Sequence, residues 1–139
     1  MLRRSIEDLC NTDHGGDPAI LTPWLANKTP ENVTAWIDAN PLGFIVGVGP
    51  DGIVGVGSVI PNGDIGLNYV APWARFQGVS KGLLHALETQ ASKYGATECT
   101  LISTKTAHRF YQARGYTDTG PPVPSFAGTL AFPMRRQIS

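Results

Sequence analysis

The residues best suited to bind an anion lie between positions 75 and 81. Arg75 and Lys81 supply positive charge, and Gly78 and Ser80 between them carry small side chains. A helical pattern begins after Gly78, so the unpaired N–H groups of a first helical turn would point at the same place, where phosphate oxygens bind well. The alternative is that Gly78 only eases a tight turn and that the basic side chains are solvated.

Two elements must position this segment. Before it, residues of two kinds alternate, which predicts a strand with one buried face. The buried face would be made by Ile65, Leu67 and Tyr69, and the opposite face by Gly66, Asn68 and Val70. After it, apolar residues at helical spacing predict a helix that ends near Gly95, namely Val79, Leu83, Leu84, Leu87 and Ala91. The segment is therefore a turn between a strand and a helix.

Two motifs carry a resemblance to a known family. Arg75-x-x-Gly78-x-Ser80 is similar to the Q/R-x-x-G-x-G/A motif of the GNAT superfamily of N-acetyltransferases. The segment from Thr104 to Tyr116 resembles the same family's N-x-x-A-x-x-F-Y-x-x-x-G-F/Y motif. Ser80 and Thr104 depart from the residues usual at their positions. The resemblance covers about Ile53 to Tyr116.

The resemblance implies that the chain binds acetyl-CoA, with no metal. The pyrophosphate would lie on the turn, and the pantetheine arm would enter a slot where the strand ending at Val70 separates from the strand ending near Ser103. Unpaired backbone groups of a separated strand can bind the amides of that arm. The implied cofactor-binding residues are Tyr69, Val70, Arg75, Phe76, Gln77, Gly78, Val79, Ser80, Thr104 and Ala107.

Catalysis would need a polarised thioester carbonyl and a proton for the leaving thiolate. A backbone N–H near Tyr69 or Val70 would supply the first. Tyr111 matches the family position for the second, and we predict that it is the general acid. On a helix Tyr111 and Phe110 point about 100° apart, so Phe110 can enter the core while Tyr111 faces the slot.

The sequence does not identify a base for the attacking amine. Asp64 lies at the far end of the strand, and Asn68 cannot accept a proton as a base. His85 is well inside a helix, and His108 could equally meet the adenosine phosphate of the cofactor. No base is assigned, and an ordered water could relay the proton.

Composition limits the class of protein. The chain has 139 residues, the length of one domain, and its 11 basic and 11 acidic residues balance, so net charge indicates no nucleic-acid or membrane partner. Residues 1–69 hold three Lys or Arg against eight Asp or Glu, and residues 70–139 hold eight against three. The basic half would suit an anionic cofactor, and the acidic half would suit a cationic amine. The alternative is that these charged side chains only form a solvated surface.

Two cysteines, Cys10 and Cys99, are too few for a disulfide framework or a zinc site, which favours a reducing, cytoplasmic location. We expect Cys99 to be a core residue and Cys10 to be partly exposed. No apolar run is long enough to cross a membrane, and the start of the chain lacks the apolar core of a signal peptide.

The first forty residues predict irregular helices. Leu2 to Arg4 could be a short strand, with Ser5 opening a brief helix that Asn11 to Gly16 ends. Further helices are predicted after the caps Asp17 and Thr29, each followed by proline. The family resemblance implies that these helices cover the acceptor pocket. The aromatic and aliphatic residues there could line that pocket or simply anchor the core: Trp24, Leu25, Trp36 and Ile37.

The remaining chain predicts strands at 43–49 and 53–60 as a hairpin around Pro50-Asp51-Gly52, then a turn at 61–64. A strand is predicted at Glu98–Ser103, a helix at Lys105–Arg114, and a last strand at Phe126–Arg135 that Pro133 breaks and places near an edge. The fold class is α+β: a largely antiparallel central sheet with helices on both faces, of the GNAT type, in a single domain over residues 1–139.

The sequence thus predicts an acetyl-CoA-dependent N-acetyltransferase whose acceptor is a small-molecule or peptide amine. One alternative is a non-catalytic acyl-CoA-binding sensor or regulatory module on the same fold. Another is a nucleotide-phosphate binder, against which the missing G-x-x-x-x-G-K-[ST] run argues. A homodimer is consistent with the family, and the identity of the acceptor is not predicted.

Overall fold

A computed structural model describes residues 1–75, 77–125 and 129–138 of the chain. Four helices come first, then three strands, then a longer helix and a mixture of short elements. The helices are α1 Leu2–Leu9, α2 Asn11–His14, α3 Pro18–Leu25, α4 Pro30–Ala39, α5 Val79–Lys93 and α6 His108–Ala113. The strands are β1 Phe44–Gly49, β2 Gly52–Val59, β3 Asp64–Val70, β4 Glu98–Ser103, β5 Thr117–Asp118, β6 Val123–Pro124 and β7 Leu130–Gln137.

The strands form one mostly antiparallel sheet in the order β1-β2-β3-β4-β7-β5, with β6 also pairing with β7. The exception is β3 with β4, which are parallel because α5 connects them as a crossover. Gly57 of β2 faces α5, and a Cβ at this position would lie 2.8 Å from the Leu87 side chain. The glycine therefore lets the long helix pack closely on the middle of the sheet.

Helices cover both faces of the sheet, and each face has its own apolar cluster. The larger cluster joins α5 and α6 to one face, and its fully buried members include Leu87, Tyr116 and Met134. The smaller one joins α1 and α3 to Tyr69, through Ile6, Trp24 and Leu25. The predicted α+β class with helices on both faces is confirmed.

Local sequence patterns predict several elements well. Asp17 caps α3 by accepting the Ala19 N–H, and Thr29 caps α4 by accepting the Asn32 N–H. The hairpin of β1 and β2 forms around the predicted turn, and the long helix occupies its predicted place. These elements depend on caps, turns and periodicity, which act between neighbours in the chain.

The prediction for the first ten residues is wrong. Leu2 to Arg4 are helical, and α1 begins before Ser5, whose N–H bonds to the Met1 carbonyl. Ser5 is therefore a buried residue within the helix, not its cap. The helix forms because Ile6 and its neighbours pack on the sheet, a tertiary contact that a short local pattern cannot indicate. Asn11 to Gly16, expected only to end a helix, include the single turn α2.

The prediction that Ile65 and Tyr69 lie on the same face of β3 is also wrong. Ile65 lies in the α5 cluster, whereas Tyr69 packs on the N-terminal cluster, so the two do not share a face. The cause is an irregularity in β3: Ser58 pairs with Leu67, but the next residue Val59 pairs with Ile65. An extra residue of this kind reverses the alternation of side chains beyond it.

The last strand differs from its prediction as well. The predicted start at Phe126 lies outside the described residues, and β7 runs through Pro133 without a break. It lies between β4 on one side and β5 and β6 on the other, so it is not an edge strand. The Pro133 carbonyl accepts from the Thr119 N–H, so its backbone nitrogen faces the short strands, where no ladder bond from β4 is lost.

Candidate functional site

The two parallel strands at the centre of the sheet separate after two paired positions. Asp64 pairs with Thr100 and Ile65 with Leu101, and no pairing continues from there to Val70. The separation opens a wedge on the side of β3 that faces β4, at the place that the family resemblance implied for the slot. A small hollow of about 60 Å³ lies in the wedge, between β3 and the end of β4.

The hydrogen bonds between β3 and β2 show which backbone groups of β3 face the wedge on its other side. The Ala71 N–H donates to Val54 of β2 at 2.8 Å, so Ala71 faces β2. Alternate residues of a strand address the same neighbour, which places the N–H groups of Val70 and Asn68 on the open side and that of Tyr69 toward β2. Of the two predicted oxyanion donors, the structure favours Val70.

The wedge opens into a larger cleft of about 310 Å³ at the N-terminus of α5. Most of the predicted site residues line this cleft: Tyr69, Val70, Arg75, Gly78, Val79, Ser80, Thr104, Ala107 and Tyr111. Gln77 is exposed and is not among the described residues of the cleft wall, and Phe76 lies outside the described residues. The two motifs, far apart in the chain, thus meet at one cleft.

The α5 end of the cleft has the features of an anion site. Gly78 has a φ of 76°, a left-handed conformation that side chains rarely adopt, and a Cβ there would project into open space. No side chain among the described residues caps the helix, so the first-turn N–H groups are available to a ligand. Arg75 and Lys81 add positive charge to the same wall. This cradle fits a diphosphate group.

Tyr111 lies where the cleft and the wedge meet. The side-chain amide of Asn68 donates to the Tyr111 hydroxyl oxygen at 3.1 Å, which leaves the hydroxyl proton free to be donated. Burial raises the pKa of Tyr111 to about 12, and the hydrogen bond from Asn68 opposes this only partly. The phenol therefore keeps its proton at neutral pH. Phe110 is partly buried against the core but also lines the cleft.

The Asn68 side chain has one group left over. Its carbonyl oxygen is buried and has no hydrogen-bond partner among the described residues. A buried acceptor without a partner is costly, so its presence beside the wedge points to a ligand that carries an N–H or O–H donor. The amides of a pantetheine arm are donors of this kind, and the wedge residues therefore fit that group.

The Thr104–Ala107 turn is held from two directions. Thr104 replaces the asparagine usual in the family, and its hydroxyl oxygen accepts the Ala107 N–H at 3.2 Å. From α2, Asp13 accepts the N–H groups of Lys105 at 2.7 Å and Thr106 at 3.0 Å, and also the Thr106 hydroxyl. These bonds keep residues 105–107 in a turn, so α6 begins at His108, later than the predicted Lys105.

Asp13 and the α1 wall are site residues that the sequence analysis missed. Ser5, Leu9 and Cys10 line the cofactor cleft from the N-terminal side. Cys10 is buried rather than partly exposed, and burial, with a smaller contribution from Asp13, raises the pKa of its thiol to about 12. No local motif marks these residues, because their place depends on how α1 and α2 pack across the sheet.

The three side chains considered as a base for the attacking amine either have other partners or lie away from the cleft. Asp64 accepts the Thr100 hydroxyl at 2.9 Å, and His85 is exposed on α5. His108 pairs with Asp118 at 2.8 Å and stacks on Phe132, outside the described walls of the cleft. The structure brings none of these three side chains to Tyr111.

A second cleft of about 210 Å³ lies on the N-terminal face of the sheet. It shares Tyr69 and Thr104 with the first cleft. Of the four residues predicted either to line the acceptor pocket or to anchor the core, Trp24 does both, and Leu25 is a core residue. Trp36 is half-buried and Ile37 is exposed, and neither is among the described residues of this wall.

No group of three or more His, Cys, Asp or Glu side chains in residues 1–75, 77–125 and 129–138 is arranged to hold a metal ion. Among the helices that the structure describes, none is long and apolar enough to cross a lipid bilayer.

Known structures share this fold. A GCN5-related N-acetyltransferase of Rhodopseudomonas palustris is 24% identical, with a TM-score of 0.78 over 97% of this chain and 84% of its own. The PaiA N-acetyltransferase of Thermoplasma acidophilum, solved with coenzyme A, is 15% identical, with a TM-score of 0.71 over 98% and 90%. YncA of Salmonella typhimurium, solved with acetyl-CoA, is 22% identical, with a TM-score of 0.64 over 78% and 73%.

The comparison with curated proteins found no match. The model of the acetyltransferase (GNAT) domain family, in contrast, matches residues 24–138, which include both motifs and most of the sheet. This range extends the resemblance well before Ile53, into the helices of the N-terminal region. The match covers most of the chain, and the chain therefore belongs to the GNAT acetyltransferase family.

Proposed function

We propose that this protein is an acetyl-CoA-dependent N-acetyltransferase that transfers acetyl directly from the thioester to an amine. The observation that carries the proposal is the open side of β3, which meets the α5 cradle and the Tyr111 hydroxyl in one continuous cleft. PaiA and YncA, which share the fold, were solved with coenzyme A and acetyl-CoA respectively. Their cofactors are of the class that this cleft fits.

Several groups would hold the cofactor. The N–H groups at the start of α5 bind the diphosphate, with Arg75 and Lys81 balancing its charge. The open side of β3 binds the pantetheine arm as a strand would be bound, and the Asn68 carbonyl oxygen accepts one of its donors. Thr104 borders both clefts and can still donate its hydroxyl proton. When bound, acetyl-CoA supplies the acetyl group as a thioester.

The chain's own groups then assist the transfer. The Val70 N–H donates to the thioester carbonyl oxygen, on which negative charge develops as the amine attacks. A C–N bond forms, the C–S bond breaks, and Tyr111 gives its proton to the departing sulfur. The proton that the amine loses passes to water, and water returns a proton to Tyr111, so that the enzyme regains its starting state. Tyr111 suits this role by its position: its oxygen is held by Asn68, and its hydroxyl proton is left free to be donated.

Two measurements test the proposal. Thermal unfolding with acetyl-CoA should show stabilisation of about 2.7 kcal/mol at about 100 times Kd, and ATP should stabilise far less. Release of free thiol from acetyl-CoA, assayed across a panel of amines, should reveal turnover. Stabilisation without turnover of any amine would favour an acyl-CoA-binding sensor or regulatory module. Stabilisation by ATP alone would contradict the proposal.

A further inference from the structure

The second cleft, on the N-terminal face, has a chemical character of its own. Its volume of about 210 Å³ is below the range of roughly 300–1,000 Å³ that is usual for drug-sized ligands. It meets the cofactor cleft at Tyr69 and Thr104, which line both. A small molecule in the second cleft would therefore lie next to the wedge and the reactive end of the cofactor.

Asp13 is the one charged side chain among the described residues that line this cleft. Its carboxylate accepts from the N–H groups of Lys105 and Thr106 and from the Thr106 hydroxyl. All three donors are neutral, so they orient the carboxylate without cancelling its negative charge. Asp13 therefore contributes a negative charge to the wall of the cleft.

The remaining walls favour a cation that has an apolar body. Trp24 and Tyr69 contribute aromatic surface, and Ile102 and Leu130 contribute aliphatic surface. Aromatic rings attract organic ammonium groups, and a carboxylate supplies the opposite charge. A ligand carboxylate, in contrast, would meet Asp13 and no basic side chain among the described lining residues, and like charges placed together are strongly unfavourable.

We propose that the second cleft binds the acyl acceptor as a small organic amine that is positively charged and has no carboxylate. Its ammonium group gives one proton to water before the neutral nitrogen attacks the thioester. The class excludes free amino acids and includes their decarboxylated counterparts. The transfer of acetyl to this amine rests on the function proposed above, whereas the binding of the amine does not. Binding and turnover can therefore be tested separately.

A matched pair of ligands tests the class. Phenethylamine and phenylalanine share an aromatic body and an ammonium group and differ by one carboxylate. Calorimetric titration of the protein should give at least about tenfold tighter binding of phenethylamine, because phenylalanine places its carboxylate near Asp13. Thiol release in the presence of acetyl-CoA should show the same preference in kcat/KM. Asp13→Asn should reduce the preference in both assays.

Leu130 provides a second test that leaves the Asp13 bonds intact. Its side chain lines the cleft and is 50% exposed, so a charged replacement should be tolerated. Leu130→Lys should weaken phenethylamine binding and Leu130→Glu should strengthen it, each by severalfold, as expected for partly exposed charges. Leu42→Lys introduces the same charge at an exposed residue away from the described cleft walls and should change neither ligand's affinity.

The outcomes separate the two proposals. Equal or tighter binding of phenylalanine, or identical effects of Leu130→Lys and Leu130→Glu, would overturn the amine proposal and leave cofactor binding intact. Turnover of peptide N-termini but of neither small amine would also overturn it. Binding of phenethylamine without any stabilisation by acetyl-CoA would keep the amine site and reject the proposed acetyltransferase function.

Discussion

The cofactor cleft has two walls that are built in different ways. One wall comes from the turn and helix start at Arg75–Lys81, where neighbours in the chain supply the N–H groups, the small residues and the charge. The other comes from the N-terminal helices: Ser5 of α1 and Cys10 after it line the cleft, and Asp13 of α2 holds the Thr104–Ala107 turn that also lines it. Their places depend on how the helices pack across the sheet. We call these the motif wall and the packed wall.

The motif wall offers backbone groups to a ligand, whereas the packed wall offers side chains that also hold other elements in place. The motif wall uses backbone groups, which any sequence with the right turn can present, and its geometry depends on one glycine in a left-handed conformation. The packed wall contributes side chains that hold other elements in place, above all the Thr104–Ala107 turn. We expect changes in the motif wall to affect cofactor affinity, with a loss of stability only from backbone strain at Gly78. Changes in the packed wall should affect stability as well, because they remove contacts between elements.

The largest effect is expected at Tyr111, where the cleft and the wedge meet. Tyr111→Phe should lower kcat by about 10²- to 10⁴-fold, because it removes the proton donor and keeps the ring. Acetyl-CoA affinity should stay within about twofold in calorimetry. Phe110→Leu, which changes the neighbouring ring, serves as a control for packing. An unchanged kcat in Tyr111→Phe would remove the residue from the mechanism.

The next largest effect isolates the motif wall. Gly78→Ala should weaken acetyl-CoA binding by about tenfold or more, since the methyl group projects into the space that the diphosphate would approach. The φ of 76° should also cost about 1–2 kcal/mol of stability. Gly95→Ala is the control: at the far end of α5, where φ is 94°, it should lose the same stability through backbone strain. Equal acetyl-CoA affinities for the two variants would argue against a diphosphate site at Gly78.

The packed wall is tested by Asp13→Ala. Loss of the carboxylate leaves the Thr106 N–H without its acceptor in a part-buried turn, so the free energy of unfolding should fall by about 1–3 kcal/mol. The KM for acetyl-CoA should rise severalfold because the turn lines the cleft. Asp8→Ala, at an exposed residue of α1, should change neither quantity. A change in KM without loss of stability would show that the two walls do not differ as we describe.

The smallest expected effect is a loss of folding stability at alkaline pH, to which Cys10 of the packed wall contributes. Burial raises the folded-state pKa of Cys10 from 9.0 to about 12 and that of Tyr111 from 10.0 to about 12. Unfolding releases these protons more easily, so the stability they contribute is complete below about pH 9 and is lost progressively up to about pH 12. Cys10→Ala should reduce the slope of Tm against pH between 9 and 10, below the usual pKa of Tyr111. An identical slope would mean that Cys10 is not buried as described.

The same contrast explains which parts of the molecule could be predicted from the sequence. The hairpin at Pro50–Gly52, the caps Asp17 and Thr29 and the start of α5 are local, and each was predicted correctly. Most of the predicted cofactor residues meet at one cleft because two motifs and a crossover place them there. Their roles in binding and catalysis remain predictions.

The errors occur where distant contacts decide the structure. Leu2 to Arg4 form a helix because α1 has a sheet to pack on. Pro133 is tolerated inside β7 because its nitrogen, which carries no hydrogen, faces the short strands and not β4. The irregularity near Gly66 turns Asn68 toward Tyr111, a contact between residues 43 positions apart that no pattern of alternation predicts. Asp13 was missed for the same reason, since its partners lie 92 and 93 positions away.

Amide hydrogen exchange with and without acetyl-CoA, resolved by NMR, tests the central claim most directly. The account predicts slower exchange on binding for the N–H groups of Asn68, Val70, Val79 and Ser80, and little change for those of Tyr69 and Ala71, which face β2. Binding that leaves Val70 and the start of α5 unprotected, or that protects a different edge of the sheet, would contradict the account.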